Sequence, residues 1–197
     1  MIVLFGLAGS GKGTQGKALS ELFGWRTLSV GQVIRDTGKY ANTVNHGNLI
    51  PDDDVIALMN AQIERIEAEG FNIILDGYPR DEYQAKWIMK NMAEKIEGGI
   101  ILEVPKEELY DRLALRGRDD DQDKESIDRR FEIFDNNISA ILPLFAEKNI
   151  PIKRVNGVGS VEDVTNRLID VVKELVPGAQ IQQNDVNGDE IERSYGE

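Results

Sequence analysis

The run GLAGSGKGTQG at residues 6–16 follows at once on four apolar residues, Ile2-Val3-Leu4-Phe5, and no other stretch restricts the fold so severely. A short, wholly apolar segment ahead of a glycine-rich turn predicts a strand buried on both faces, as in a parallel sheet. The turn admits two punctuations. From Gly6 it reads G-x-x-x-x-G-K, a loop whose backbone N–H groups cradle phosphates. From Gly11 it reads G-x-G-x-x-G through Gly13 and Gly16, a dinucleotide pattern. The dinucleotide pattern needs its first glycine where the strand ends. Gly11 comes too late for that, whereas Gly6 directly follows Phe5. The phosphate loop therefore prevails. Lys12 can then reach the terminal phosphates of a nucleoside triphosphate, and the following helix start receives the anion.

Downstream, apolar runs alternate with segments of helical period. A helix is expected over 13–23, a strand over 25–30, then a short helix after Gly31 and a polar excursion between Asp36 and Asn48. Pro51-Asp52-Asp53-Asp54 opens a helix, since proline suits the first turn and acids oppose the positive dipole end. Val55, Leu58, Met59, Gln62, Ile63 and Ile66 carry its period. Strand 72–75, helix 81–94, strand 99–104, helix 106–116, a long helix over 126–148, strand 152–155 and helix 161–175 follow. This alternation predicts an α/β fold in three layers around a mainly parallel five-stranded sheet. Residues 1–176 form one domain on this reading. After Pro177-Gly178 the pattern dissolves into an acidic segment, 179–197, whose composition predicts a mobile tail. Asp185, Asn187 and Asp189 fail as a calcium loop, because the glycine and the closing glutamate are misplaced.

The totals exclude several classes. The chain of 197 residues is 41% hydrophobic and 29% charged, which suits a single soluble core. No apolar run approaches the length that spans a bilayer, and the N-terminus enters a strand at once rather than a signal peptide. The chain has no cysteine, so disulfides and a thiolate zinc site are excluded. A net charge of −12 opposes general nucleic-acid binding but not a small anion held by local arginines. A cytoplasmic location, with neither membrane nor nucleic-acid partners, is the expectation.

One residue departs from the generic phosphate loop. Gly13 stands where a hydroxyl should follow the lysine, and the hydroxyl comes one later, at Thr14. In this respect GKGTQ resembles the adenylate kinase and nucleoside monophosphate kinase family. Further motifs follow in the family's order: Leu28-Ser29-Val30-Gly31-Gln32-Val33-Ile34-Arg35 is similar to its S-T-G-D-x-[LM]-R segment, and Asp76-Gly77-Tyr78-Pro79-Arg80 matches D-G-[FY]-P-R. Gln84 sits at the spacing of its base-reading glutamine. Arg116-Gly117-Arg118, Asp120-Asp121 and Arg129-Arg130 resemble the short-lid form, and Asn156-Gly157 to Val164 the last strand-to-helix turn.

The resemblance implies a P-loop NTPase fold with a small acceptor-binding flap at about residues 30–50 and a minimal lid at about 117–125. It implies phosphoryl transfer from ATP to AMP giving two ADP, with Mg²⁺ as cofactor, by a monomer. On that basis Gly9, Ser10, Gly11, Lys12, Gly13, Thr14, Arg112, Arg116 and Gly157 bind ATP. Ser29, Val30, Arg35, Asn48, Ile50, Gly77, Arg80 and Gln84 bind AMP. Lys12, Arg80, Arg116, Arg118 and Arg130 neutralise charge during transfer, and Asp76 holds Mg²⁺ through water. The residue types suit the chemistry, because two polyphosphates must be aligned against their own repulsion. Arginine stays charged and grips phosphate oxygens with a planar fork.

Each assignment has a plainer counterpart. A single arginine, Arg112 or Arg129 above all, can be a surface ion pair. Asp76 can be a helix cap, Gln84 an exposed helix glutamine, and Asp119, Asp120 and Asp121 either hinge ion pairs or a solvated charged loop. His46, the sole histidine, is expected to be exposed. Val30 replaces a threonine, Gln32 an aspartate and Ala8 a proline common in adenylate kinases, and one extra residue between Asp121 and Arg130 leaves Arg129 in competition with Arg130. Two alternatives stay open: a kinase for UMP or CMP, and a catalytically weak nucleotide-binding regulator.

Overall fold

The structure, a computed structural model, describes residues 1–38, 50–116, 121 and 123–182. Five parallel strands form one sheet in the order β2-β3-β1-β4-β5: β1 (Ile2–Gly6), β2 (Arg26–Ser29), β3 (Ile73–Asp76), β4 (Gly98–Glu103) and β5 (Ile152–Asn156). The helices are α1 (Lys12–Phe23), α2 (Val30–Asp36), α3 (Asp52–Ala68), α4 (Glu82–Asn91), α5 (Lys106–Arg116), α6 (Lys124–Glu147) and α7 (Val161–Leu175).

Strand alternation builds two cores. Val3, Phe5, Ile73, Leu75 and Ile101 point to one face, where α2, α3, α4 and α6 supply Ile34, Met59, Ile63, Ile88 and Phe145. Ile2, Leu4, Ile74, Ile100 and Leu102 point to the other, against Leu19 and Phe23 of α1 and Leu168 and Val172 of α7. Side chains such as Leu4 and Ile74 are wholly buried, each contributing on the order of 2 kcal/mol. β1 and β3 are neighbours, with Leu4 opposite Asp76, yet the chain leaves them for opposite faces of the sheet. That reversal opens a crevice at the carboxyl ends of β1 and β3, the usual place for a ligand in an open α/β sheet.

Several boundaries differ from the sequence expectation. Val30 starts α2 instead of ending β2, and it is fully buried. Helix α4 stops at Asn91, because Met92 leaves helical geometry at φ −150°, and Ala93–Lys95 form a separate 3-10 turn. The chain beyond Pro177 stays docked as far as Gln182, whose N–H donates to Leu22 O at 2.7 Å. The remainder of the expected tail, with Asp185, Asn187 and Asp189, lies outside the described residues, as do Asn48, His46, Gly117, Arg118, Asp119 and Asp120.

Candidate active site

Helix starts divide into two kinds, and the division marks the site. Asp81 caps α4, Asp123 caps α6, and Ser160 with Asp163 forms a capping box on α7; α3 and α5 carry acids in their first turns. Among the described helices only α1 and α2 have neither a side-chain cap nor an acid in the first turn. Their N–H groups and positive dipole ends stay available to anions. Both starts lie at the carboxyl edge of the sheet, one after β1 and one after β2.

The loop before α1 turns on glycines at positive φ: Gly6 at 152°, Gly9 at 84° and Gly11 at 94°. A Cβ at Gly6 would also lie 2.6 Å from Ser10 Oγ and 3.0 Å from Leu102 O, so the loop closes too tightly for any side chain there. Ser10 is buried beneath it, while Gly13 and Thr14 are exposed at the start of α1. Lys12 Nζ donates to Gly6 O at 2.7 Å and to Leu7 O at 3.0 Å, which holds the ammonium over the loop. Desolvation pushes its pKa down to about 8; the Asp76 carboxylate opposes this, and the Arg80 and Arg116 charges reinforce it. Lys12, Asp76, Arg80 and Arg116, four groups from three separate segments, thus act on one another at this point.

On the α2 side, a Cβ placed at Gly31 would lie 3.3 Å from Arg35 Nη1 and 3.5 Å from Arg80 Nη2. Two guanidinium forks therefore face one spot, a geometry suited to a phosphate dianion. Gln32 Oε1 accepts from Arg35 Nη2 at 2.8 Å, and Arg80 Nε donates to Gly77 O at 3.0 Å. Gly77, at φ 70°, brings Val30 within 3.5 Å of its own Cβ position. Val30 packs here as core, so its side chain offers a base no open surface, and Ser29 and Ile50 are the half-buried members of this wall.

A third cluster gathers around Asp121. Asp121 is buried and accepts from Arg116 Nε at 2.6 Å, Arg116 Nη2 at 2.7 Å and Arg130 Nη2 at 2.9 Å. Burial alone would raise its carboxyl, but the hydrogen bonds from Arg116 and Arg130 prevail and hold it below the usual carboxylate range. Of the three aspartates 119–121, Asp121 is described, and it is a buried ion pair rather than part of a solvated loop. Arg130 is the half-buried arginine of its pair, and Arg129 is exposed. Arg112 is more than a surface ion pair: besides Glu108, its Nη2 donates to Gly157 O at 2.9 Å, and its Nη1 lies 3.9 Å from a Cβ position at Gly11. It ties α5 to the phosphate loop and to the buried Gly157 turn.

The plainer counterparts of two residues fail. Asp76 is not a helix cap, for Asp81 caps α4 by accepting from Gln84 N at 2.9 Å. The spacing Asp81-x-x-Gln84 is a capping-box signal that could have revealed this. Gln84 is not exposed: it is buried, its Oε1 accepts from Arg80 N at 2.9 Å, and its Nε2 donates to Asp52 Oδ1 at 2.8 Å. Asp52, legible only as a helix-start acid, had no signal linking it to Gln84.

Asp76 Oδ2 lies 4.0 Å from a Cβ position at Gly13, beside Lys12. Among the described residues no group of three or more His, Cys, Asp or Glu side chains could hold a metal ion alone. A lone carboxylate at a phosphate loop nonetheless fits Mg²⁺, which keeps several waters and takes phosphate oxygens as ligands.

Comparison with known proteins identifies the family. The family model for adenylate kinase matches residues 4–150. A protein named adenylate kinase from Flavobacterium psychrophilum is 35% identical over 190 residues, covering 88% of this chain and 98% of that one. Adenylate kinases from Porphyromonas gingivalis (32% identical, 87% and 94% covered) and a Synechococcus species (33%, 85% and 95%) align similarly. The chain, with its glycine-rich loop carrying Gly13 after Lys12, thus belongs to the adenylate kinase family.

Proposed function

We propose that this enzyme transfers the γ-phosphoryl group of ATP to AMP, giving two ADP, as its relatives' name implies. The observation that carries the reading is the convergence of Lys12, Arg80 and Arg116 with Asp76 at the mouth of the phosphate loop. The loop N–H groups at Gly9, Ser10, Gly11, Gly13 and Thr14 hold the donor phosphates, and Arg112 with Gly157 borders the donor on the side of α5. Arg35 and Arg80 grip the acceptor phosphate. An acceptor oxygen then attacks the γ-phosphorus in line as the bridge to the β-phosphate breaks, and Lys12, Arg116 and Arg130 take up the charge on the transferring oxygens. Arg118 belongs to this group by motif. Ser29, Val30, Asn48, Ile50, Gly77 and Gln84 shape the acceptor pocket. Asp76 would help hold Mg²⁺ through water, and the ion would supply neutralisation of phosphate charge.

On this reading residues 1–176 are one kinase domain, with a flap at about residues 30–50 and a short lid at about 117–125. Closing both excludes water, which otherwise competes as acceptor. No described helix is long and apolar enough to cross a membrane. A monomer in the cytoplasm completes the proposal. The test is ADP formation from ATP with AMP, UMP, CMP, GMP or dAMP, each with and without Mg²⁺. Fast Mg²⁺-dependent turnover with AMP is expected. Faster turnover with UMP or CMP refutes the acceptor, and none with any acceptor refutes the kinase.

A further inference from the structure

Gln84 has four hydrogen-bonding positions on its amide, two donors and two acceptors. Its two partners here are both one-way. Arg80 N, a backbone N–H, can only donate, so it binds the Oε1 end; the Asp52 carboxylate accepts, so it binds the Nε2 end. A flipped amide would set donor against donor at Arg80 and acceptor against acceptor at Asp52. The orientation is therefore held from both sides, on a side chain that is itself buried. What remains for a ligand is one N–H and one carbonyl lone pair, in a fixed order along the amide.

Such an edge is complementary to a base that presents an exocyclic amine beside an unprotonated ring nitrogen. A base with an oxo group beside a protonated ring nitrogen presents the reverse order and needs the flipped amide. We propose that Asp52 is a positioning residue for acceptor choice: by locking the Gln84 amide it favours amino bases over their oxo counterparts. Asp52 stands in the first turn of α3 and Gln84 in the first turn of α4, so the lock also ties the flap's exit to the core. Nearby, burial pushes the Asp81 carboxyl up, the Gln84 N–H resists, and hydrogen bonding with Asp52 adds to the upward push.

This inference rests on Gln84 reading the acceptor base. The test compares AMP with inosine monophosphate, which differs at the base by exchanging the amine for an oxo group. Asp52→Ala and Asp52→Ser are assayed with both acceptors at saturating ATP, with thermal melts as folding controls. Serine keeps a residue at home in a helix start, and its hydroxyl both donates and accepts, so it cannot enforce direction. In both variants the AMP-to-IMP ratio of kcat/KM should fall about tenfold, through KM for the nucleoside monophosphate, with KM for ATP unchanged. Equal losses for AMP and IMP, or an unchanged ratio in the folded serine variant, overturn the proposal. Gln84→Ala separates the two layers: a collapsed ratio there with an intact one in Asp52→Ser overturns the positioning role alone, and an intact ratio in Gln84→Ala overturns the base-reading role as well.

Discussion

Replacing Lys12 by methionine should make the protein without nucleotide more stable while removing its activity. Methionine matches the lysine stem in length and carries no charge. Moving an ammonium from 10.5 to about 8 corresponds to about 3 kcal/mol against the charged form at neutral pH. Against this stands the loss of two hydrogen bonds, to Gly6 O and Leu7 O, each worth about 1 kcal/mol net. A stabilisation of about 1–2 kcal/mol at pH 7 should remain, or roughly 2–8 °C in Tm for a chain of this size. The pH dependence isolates the cause. Between about pH 8 and the unfolded value of 10.5, the folded wild type has shed its Lys12 proton while the unfolded chain still holds it. The unfolded state then binds more protons, so wild-type stability rises with pH relative to the variant. The gap should be full at pH 7, shrink above pH 8, close at about pH 9 and reverse toward pH 10.5, where the desolvation cost has gone and the wild type alone keeps the two hydrogen bonds. Urea unfolding at several pH values measures it, alongside a turnover assay expected to fall at least about a hundredfold. A variant less stable than wild type at pH 7, or a gap constant from pH 7 to 10, would refute the reasoning.

Asp121→Asn removes the charge that holds Arg116 and Arg130; stability at pH 7 should drop by about 1–3 kcal/mol, with turnover falling and AMP affinity nearly intact. Because the folded-state value of Asp121 lies below its usual 3.8, that difference should persist down to about pH 4 and vanish only in stronger acid, which acid titration of both proteins by circular dichroism would show or deny. Arg80→Ala should depress turnover by about a hundredfold or more and leave ATP binding, followed by calorimetry, largely unchanged; an equal loss of ATP affinity would contradict its acceptor-side role.

Most of the scaffold was legible because it follows local periods. The expected limits of 106–116 and 161–175 coincide with α5 and α7, whose amphipathic spacing and flanking turn residues lie within the segments themselves. Helix α4 ran shorter than its pattern, since burial of Met92 and Ile96 demanded a turn that apolar periodicity alone does not register. Lys12, Asp76 and Arg80 were also legible, since each sits at a set distance past an apolar strand whose end is plain.

The chain order alone therefore determined a parallel α/β sheet, a phosphate loop at the end of β1 and the set of cations available to it. Backbone periodicity and loop spacing are one-dimensional properties, readable without contacts. Only the tertiary structure decided how those groups are wired. That Asp121 clamps Arg116 and Arg130, that Arg130 is half-buried while Arg129 is exposed, and that Val30 is buried all depend on how α2, α5 and α6 pack. The Asp52–Gln84 bond joins two helix starts separated by 32 positions in the chain. No spacing rule encodes that pairing; it exists because α3 and α4 bring their first turns together over the same crevice.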